Sequence, residues 1–501
     1  MTHTTIVSAP GKVLLTGGYL VLDPAFSGLV VATDARFYTL IRPAHSPRAT
    51  ATSPFRITVR SPQFQSATWT YWVHIHGKEV QVAPSNEDES RNTFVELALV
   101  YSLGMMGHLI PTERMKATLD SGLEIVIAGN NDFYSQRKEL DNLGLPLTAD
   151  SLKQIPLFAS THTTLSKVNK TGLGSSAALI TSLVAALFTH FKVQDSNPKD
   201  TLTHKQFLHN AAQFVHCLAQ GKVGSGFDVS SAVWGSHTYR RFRPELLQEV
   251  MNHDAKNDIP GLLKVLDPSQ TKWDNEVVPF QLAPRLHLML ADIDAGSHTP
   301  TLVSNVLKWR KNKPEEANGL WDHLGAANDR VVALLKELDQ MSKDHPKDYA
   351  LAVEKASEAP ATSWEGLVRQ SILGRDATME LLVKIYEEFQ SVRRYLREMS
   401  ELSEVPVEPK EQSRLLDACL EIPGVLMAGV PGAGGFDAIF CIVLSDAARE
   451  AVAGVWSGFE EMSVGPLLCT ESVDGGLVVE LSESVATTQT HSATVQRLLS
   501  L

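Results

Sequence analysis

Residues 170–178 read K-T-G-L-G-S-S-A-A. Two glycines one residue apart stand directly before two serines and the apolar run 177–191, a pattern that predicts a tight loop opening a helix. Such a loop suits phosphate. The unpaired N–H groups of a helix's first turn point outward with the positive end of the macrodipole, and glycine lets a bulky polyanion approach the backbone. Ser175 and Ser176 can cap that helix, bond a phosphate oxygen, or place a hydroxyl on magnesium, and only the last two uses are catalytic. Taken alone, the loop is equally explained by ordinary capping chemistry. It is not a Walker loop, because no Gly-Lys-Ser/Thr closes it. The third glycine of the dinucleotide fingerprint is missing as well.

Upstream, residues 13–16 and 19–22 flank Gly17 and Gly18, predicting strand, turn, strand, with Lys12 at the head of the first strand after a Pro10-Gly11 turn. A lysine there is ordinarily a solvated surface residue. Further strands are predicted at 29–32, 37–41, 55–59, 69–73 and 124–128, with a helix over 92–106. The connection 136–156 has the length of a lid or a disordered loop, and a strand over 163–168 is expected to deliver the chain to the glycine loop.

Downstream, a helix over 203–220 ends in G-K-V-G-S-G-F-D, residues 221–228. Asp228 there serves either as a helix cap or as an active-site carboxylate. A strand over 286–293 and a helix over 301–309 follow a domain boundary placed near 279–284, and amphipathic helices come next, one of them over 364–373. Arg393, Arg394 and Arg397 read as a solvated helix end or as a phosphate-binding cluster. Residues 431–437, P-G-A-G-G-F-D, separate strands at 425–430 and 438–444. Turn chemistry alone does not account for that many glycines between buried strands, whereas close approach of a ligand does.

Composition narrows the class. At 501 residues two domains are expected, and 43% hydrophobic with 20% charged residues is ordinary for a globular protein. The net charge of -12 disfavours nucleic-acid binding, so an anion site must be a local arrangement of placed cations. Cys217, Cys419, Cys441 and Cys469 show neither disulfide nor metal spacing. Residues 1–8 lack the pattern of a secretory leader and no apolar run reaches membrane-spanning length, so a cytoplasmic location without membrane association is expected.

Lys12 in A-P-G-K-V, the loop at 170–178 and A-G-V-P-G-A-G-G-F-D at 428–437 occur in an order and at a separation that resemble the three motifs of the GHMP family of small-molecule kinases. The resemblance spans nearly the whole chain. G-G-Y-L-V-L at 17–22, N-D-F-Y-S-Q at 131–136 and H-C-L-A-Q-G-K-V-G-S-G-F-D at 216–228 are most similar to fungal members whose acceptor is 5-phosphomevalonate. The resemblance implies an α+β, two-domain fold. Residues 1–284 would form an N-terminal domain like domain 2 of ribosomal protein S5, residues 285–501 a ferredoxin-like C-terminal domain, with ATP between them.

The reaction so implied moves the γ-phosphoryl of ATP onto the 5-phosphate of mevalonate, in the route to isoprenoids and sterols. Family position makes Lys12 and Asp228 catalytic. Lys170, Gly172, Leu173, Gly174, Ser175, Ser176 and Ala177 would hold ATP, with Ser176 a ligand to Mg2+. Ser225, Ser297, Thr299, Gly432, Ala433, Gly434 and Gly435 would contact the acceptor. One departure is the absence of an acid over 210–220, where mevalonate kinase carries a metal-holding glutamate. The expected partners are the small-molecule substrates, in a monomer or homodimer. Rival readings are a family member acting on a hydroxyl and a nucleotide-binding sensor without catalysis.

Overall fold

The first strand, β1 (His3–Thr16), is buried along almost its whole length in the computed structural model, which describes residues 3–45, 50, 53–86, 90–196, 200–252, 256–293, 299–369, 376–484 and 492–501. It does not turn at Pro10-Gly11. The strand continues through them, and the proline is absorbed by a register shift against β2 (Ser27–Pro43), which pairs Pro10 with Arg36 but Lys12 with Ala32. β2 also merges the two strands expected at 29–32 and 37–41. Leu20–Leu22 is a single 3-10 turn rather than a strand, because Gly17 (φ 91°) and Tyr19 (φ 64°) reverse the chain and Val21 N–H donates to the Gly17 carbonyl at 3.0 Å.

β3 (Phe55–Arg60), β4 (Thr68–His76), β5 (Glu79–Pro84), β6 (Leu123–Gly129), β7 (His237–Arg240) and β8 (Glu276–Pro279) extend this sheet. A second sheet, antiparallel throughout, orders β10 (Val425–Gly429), β11 (Ala438–Val443), β9 (His287–Ile293) and β12 (Val464–Pro466). The chain then returns to the first sheet. β13 (Val478–Ser484) pairs antiparallel with β1, giving the order β13-β1-β2-β6-β3-β4-β5, with β7 and β8 branching from β2. The pairing of β3 with β6 is parallel.

Helix Ser175–His190 lies across β1 and β2 and buries Ile180, Leu183, Val184 and Leu187. Its neighbours are the helices Thr93–Leu109, Thr201–Gln220 and Phe227–Trp234. The predicted strand at 163–168 does not form. That segment turns instead, with Lys167 N–H bonded to the Thr164 carbonyl, and only an isolated bridge from Lys170 to Tyr134 ties the approach to the glycine loop. The connection 136–156 carries two short helices, Arg137–Leu143 and Ala149–Leu152.

The helices Ala377–Ser403, Lys410–Leu420 and Asp446–Gly458 pack on the second sheet, while Pro314–Asp344 bridges Ala377–Ser403 and β2 of the first sheet and Thr299–Asn312 lies against both of these helices. The helix expected over 364–373 is seen as Trp364–Arg369, and residues 370–375 lie outside the described residues. Arg393 is not on a solvated face. It shares the inward stripe of Phe389 and Leu396 and is fully buried, so its charge is paired, with Glu408 and Asp417 both at 2.8 Å. Among the described residues no helix is long and apolar enough to cross a membrane. The four cysteines are buried and unbonded.

Candidate active site

Glycine loop, Lys12 and the third glycine segment meet at the end of β1. Gly174 (φ 77°) takes the left-handed conformation that opens helix Ser175–His190, and no side chain caps that helix, so Ser175 and Ser176 are its first residues and not its caps. Lys12 N–H donates to the Leu173 carbonyl at 3.0 Å, and the Lys12 Nζ donates to the Gly172 carbonyl at 2.7 Å. The lysine stem lies against Gly174, where a Cβ would sit 3.1 Å from Lys12 Cε. The expected surface lysine is therefore laid along the phosphate-type loop.

The third segment closes on the same strand. Gly432 N–H donates to the Leu14 carbonyl at 3.0 Å, and the Tyr19 hydroxyl donates to the Ala433 carbonyl at 2.6 Å. A Cβ on Gly18 would lie 2.0 Å from the Gly432 carbonyl oxygen, so only glycine allows the two segments to touch. Between them opens a cleft. Lys12, Gly172, Leu173, Ser225, Asp228, Gly432, Ala433 and Gly434 line it.

The remaining expected residues stand elsewhere. Gly174, Ser175 and Ser176 are half-buried at the helix start and outside the cleft lining, the Ser176 Oγ 3.1 Å from His216 Nε2, while Ala177 is buried in the core. Lys170 is engaged with Tyr134, away from the cleft lining, and Gly435 N–H is turned to the Val407 carbonyl at 2.9 Å. Ser297 lies outside the described residues, and of Thr299 only the backbone, at the start of its helix, is described.

Asp228 is in the first turn of helix Phe227–Trp234, whose N-cap Gly226 also provides no side-chain cap. One carboxylate oxygen accepts from Val229 N–H at 2.9 Å; the other is 3.8 Å from His216 Nε2. Burial lowers the Lys12 pKa, and the negative charges of Asp228 and Asp437 act against that fall. Lys12 Nζ also stands 5.4 Å from the Phe227 ring centroid. Burial keeps His216 below the usual histidine range in spite of Asp228, so its ring is neutral near pH 7 and serves as a hydrogen-bonding hub. Gln220 meets the same nitrogen at 3.1 Å.

These positions suit transfer between two anionic groups. They comprise a cation influenced by two cleft carboxylates, two uncapped helix starts and a glycine wall. Residues 139–236 match the GHMP kinases N terminal domain and residues 378–459 the GHMP kinases C terminal domain. The phosphomevalonate kinase of Arabidopsis thaliana, described as peroxisomal, is 38% identical across 92% of this chain and 93% of its own. That of Aspergillus fumigatus is 35% identical across 88% of this chain and 87% of its own.

The chain belongs to the GHMP kinase family.

A solved structure of Streptococcus pneumoniae phosphomevalonate kinase, in complex with phosphomevalonate and AMPPNP, superposes with a TM-score of 0.53 at 15% identity, covering 93% of this chain and 99% of that one. At that identity it speaks for the shared GHMP fold alone.

Sequence reasoning missed several residues of this GHMP site. His216 and Gln220 are one helical turn apart on the stretch 210–220 that lacks an acid, and their i, i+4 spacing is the signal the sequence offers. Asp437 closes a motif that was read for its glycines. Tyr19 stands in a segment whose composition predicts a strand but which turns instead. Lys222, in the segment preceding Asp228, also lines the cleft.

Proposed function

We propose that this protein transfers the γ-phosphoryl group of ATP to the phosphate of 5-phosphomevalonate, giving ADP and 5-diphosphomevalonate. The observation that carries the reading is the placement of Lys12. Its side chain runs from β1 along the glycine loop into a cleft lined by all three glycine segments, where the charges of Asp228 and Asp437 act on it. The names of the relatives that match most of the chain point the same way.

The second pKa of a phosphate monoester is about 6, so the attacking oxygen is already largely deprotonated at neutral pH. Removal of a proton is then a minor part of the barrier, and repulsion between two polyanions is the major part. Lys12 bridges the attacking and transferred phosphates. Asp228 orients Lys12 and the acceptor. The backbone N–H groups of Gly172, Gly174, Ser175 and Ser176 receive the ATP phosphates at the uncapped helix start, and Gly432, Ala433 and Gly434 form the opposite wall.

Magnesium fits the residues present. A hydroxyl such as that of Ser176, together with the phosphates of ATP and water, makes a hard-oxygen set, and no cluster of three acidic or histidine ligands occurs among the described residues. When bound, the ion would neutralise charge on the nucleotide phosphates. We assign residues 1–284 to the first domain and 285–501 to the second, except that β13 rejoins the sheet of the first, and the protein to the cytosol, whose reducing conditions suit four buried thiols.

The test is a coupled ADP-release assay over mevalonate, phosphomevalonate, homoserine and galactose. The reading requires turnover with phosphomevalonate; preference for mevalonate would place the protein among the hydroxyl-acting members instead.

A further inference from the structure

The cleft contains two lysines and, among the described residues, no arginine. The Lys12 ammonium donates to the Gly172 carbonyl, and the charges of Asp228 and Asp437 in the same cleft act on it. These three side chains together carry a net negative charge, and they would repel an acceptor that arrives with a doubly charged phosphate. A phosphorylated acceptor therefore needs another cation.

Lys222 is that cation in position and in state. It lines the cleft and is exposed, and no hydrogen bond, ion pair or ring contact engages its ammonium among the described residues. Its backbone is held firmly. Helix Thr201–Gln220 ends with Gly221 in the left-handed conformation (φ 69°), and paired bonds run from Lys222 N–H to the Cys217 carbonyl at 3.2 Å and from Gly221 N–H to the Leu218 carbonyl at 3.1 Å. On its other side the largely buried Arg241 guanidinium bonds the Gly224 carbonyl at 2.6 Å and the Val223 carbonyl at 3.3 Å. A fixed backbone carrying an unpaired ammonium is a preorganised anion contact, because the loop is already ordered before the ligand binds.

We propose that Lys222 selects the phosphorylated acceptor by pairing with its phosphate, so that the cleft favours a phosphomonoester over the parent hydroxy acid. The proposal rests on the phosphotransfer reading above and adds to it the residue that sets acceptor class. Lys12 serves the transfer; Lys222 serves recognition.

The full-length protein is assayed for ADP release and for direct calorimetric binding of phosphomevalonate and of mevalonate, as wild type, Lys222→Met and Lys222→Arg. Losing one charge-assisted contact should raise the KM and Kd for phosphomevalonate by on the order of 10- to 100-fold in Lys222→Met. The KM for ATP and the weak binding of mevalonate should stay near wild type, and Lys222→Arg should recover most of the loss. The rise of KM with added salt should also be shallower in Lys222→Met. An unchanged KM for phosphomevalonate overturns the proposal. Equal weakening of mevalonate and phosphomevalonate overturns it too, since the lysine would then pair with the carboxylate common to both. A wild-type protein that neither binds nor turns over phosphomevalonate defeats the kinase reading itself, a result distinct from either.

Discussion

Lys12 carries the reaction through one charge at one place. Its Nζ is fixed at 2.7 Å from the Gly172 carbonyl, so replacing it by methionine keeps the stem along the loop and removes only the cation. Lys12→Met should lower turnover by about 10²- to 10³-fold, as loss of a placed transition-state contact does, while equilibrium binding of ATP stays near wild type. Measured turnover close to wild type would remove Lys12 from the mechanism. Asp228 is held differently, with one oxygen on Val229 N–H and the other toward His216. Because the acceptor phosphate is already ionised, Asp228→Asn should cost under about tenfold in kcat, far less than loss of a true base. The pH profile of kcat checks this. A limb that vanishes in Asp228→Asn would show the carboxylate acting as a base after all.

The elements behind the third glycine wall are joined by a buried ion network. Glu408 pairs with Arg393 at 2.8 Å and with Arg397 at 3.0 Å, and the adjoining Val407 carbonyl accepts from Gly435 N–H. Gly434 fits under that carbonyl only because it has no Cβ, which would come within 1.9 Å of the oxygen. Helix Ala377–Ser403 thus positions the loop through the Arg393–Glu408 and Arg397–Glu408 pairs, through the Ser400 hydroxyl, which accepts from the Val407 and Glu408 N–H groups at 3.1 Å, and through the Val407–Gly435 backbone bond. Removing one partner of a buried pair leaves the other charge uncompensated, and Glu408→Gln should cost about 3 kcal/mol in urea unfolding. The same variant should also raise the KM for substrate, because the glycine wall loses its support. A variant with unchanged unfolding midpoint would mean that Asp417 alone satisfies Arg393.

Across the molecule, the return segment from β12 to β13 is fastened to the first sheet by carboxylates. Asp132 accepts from Leu468 N–H at 2.6 Å, Asp34 from Thr470 N–H at 2.8 Å, and Glu471 from Leu282 N–H at 3.2 Å. Burial pushes the Asp132 carboxyl up to about 6, and burial likewise pushes Glu471 up to about 7. Both folded values are above the unfolded carboxyl range of about 4, so the folded state holds more protons than the unfolded one through this interval. The stability contributed is full below about pH 4 and is lost as the pH rises through about 6 and then about 7. Asp132→Asn keeps an acceptor for Leu468 and removes the charge. Its thermal midpoint should rise relative to wild type at about pH 8 and converge with it only at about pH 4 and below, where the wild-type carboxyl becomes protonated in the unfolded as well as the folded state. Scanning calorimetry at the two pH values tests this, and an equal shift at both would show that the carboxyl does not titrate there.

The chemical types of the site were legible along the chain: the glycine segments, the serines at a helix start, Lys12 and Asp228 each stand in a short local pattern whose chemistry depends on neighbours a few residues away. The GHMP relation followed from the order of those patterns. What the chain order could not show is how the segments face each other. Gly18 touches Gly432, β13 pairs with β1, and Lys12 lies along a loop 160 residues distant, because burial and backbone pairing bring them together after folding. The contacts of His216 and Gln220, and the burial of Arg393, which by sequence reads as solvated or phosphate-binding, are invisible in the chain order for the same reason. A side chain's residue type is local information, whereas its partner, its burial and its charge state are set only by the packed fold.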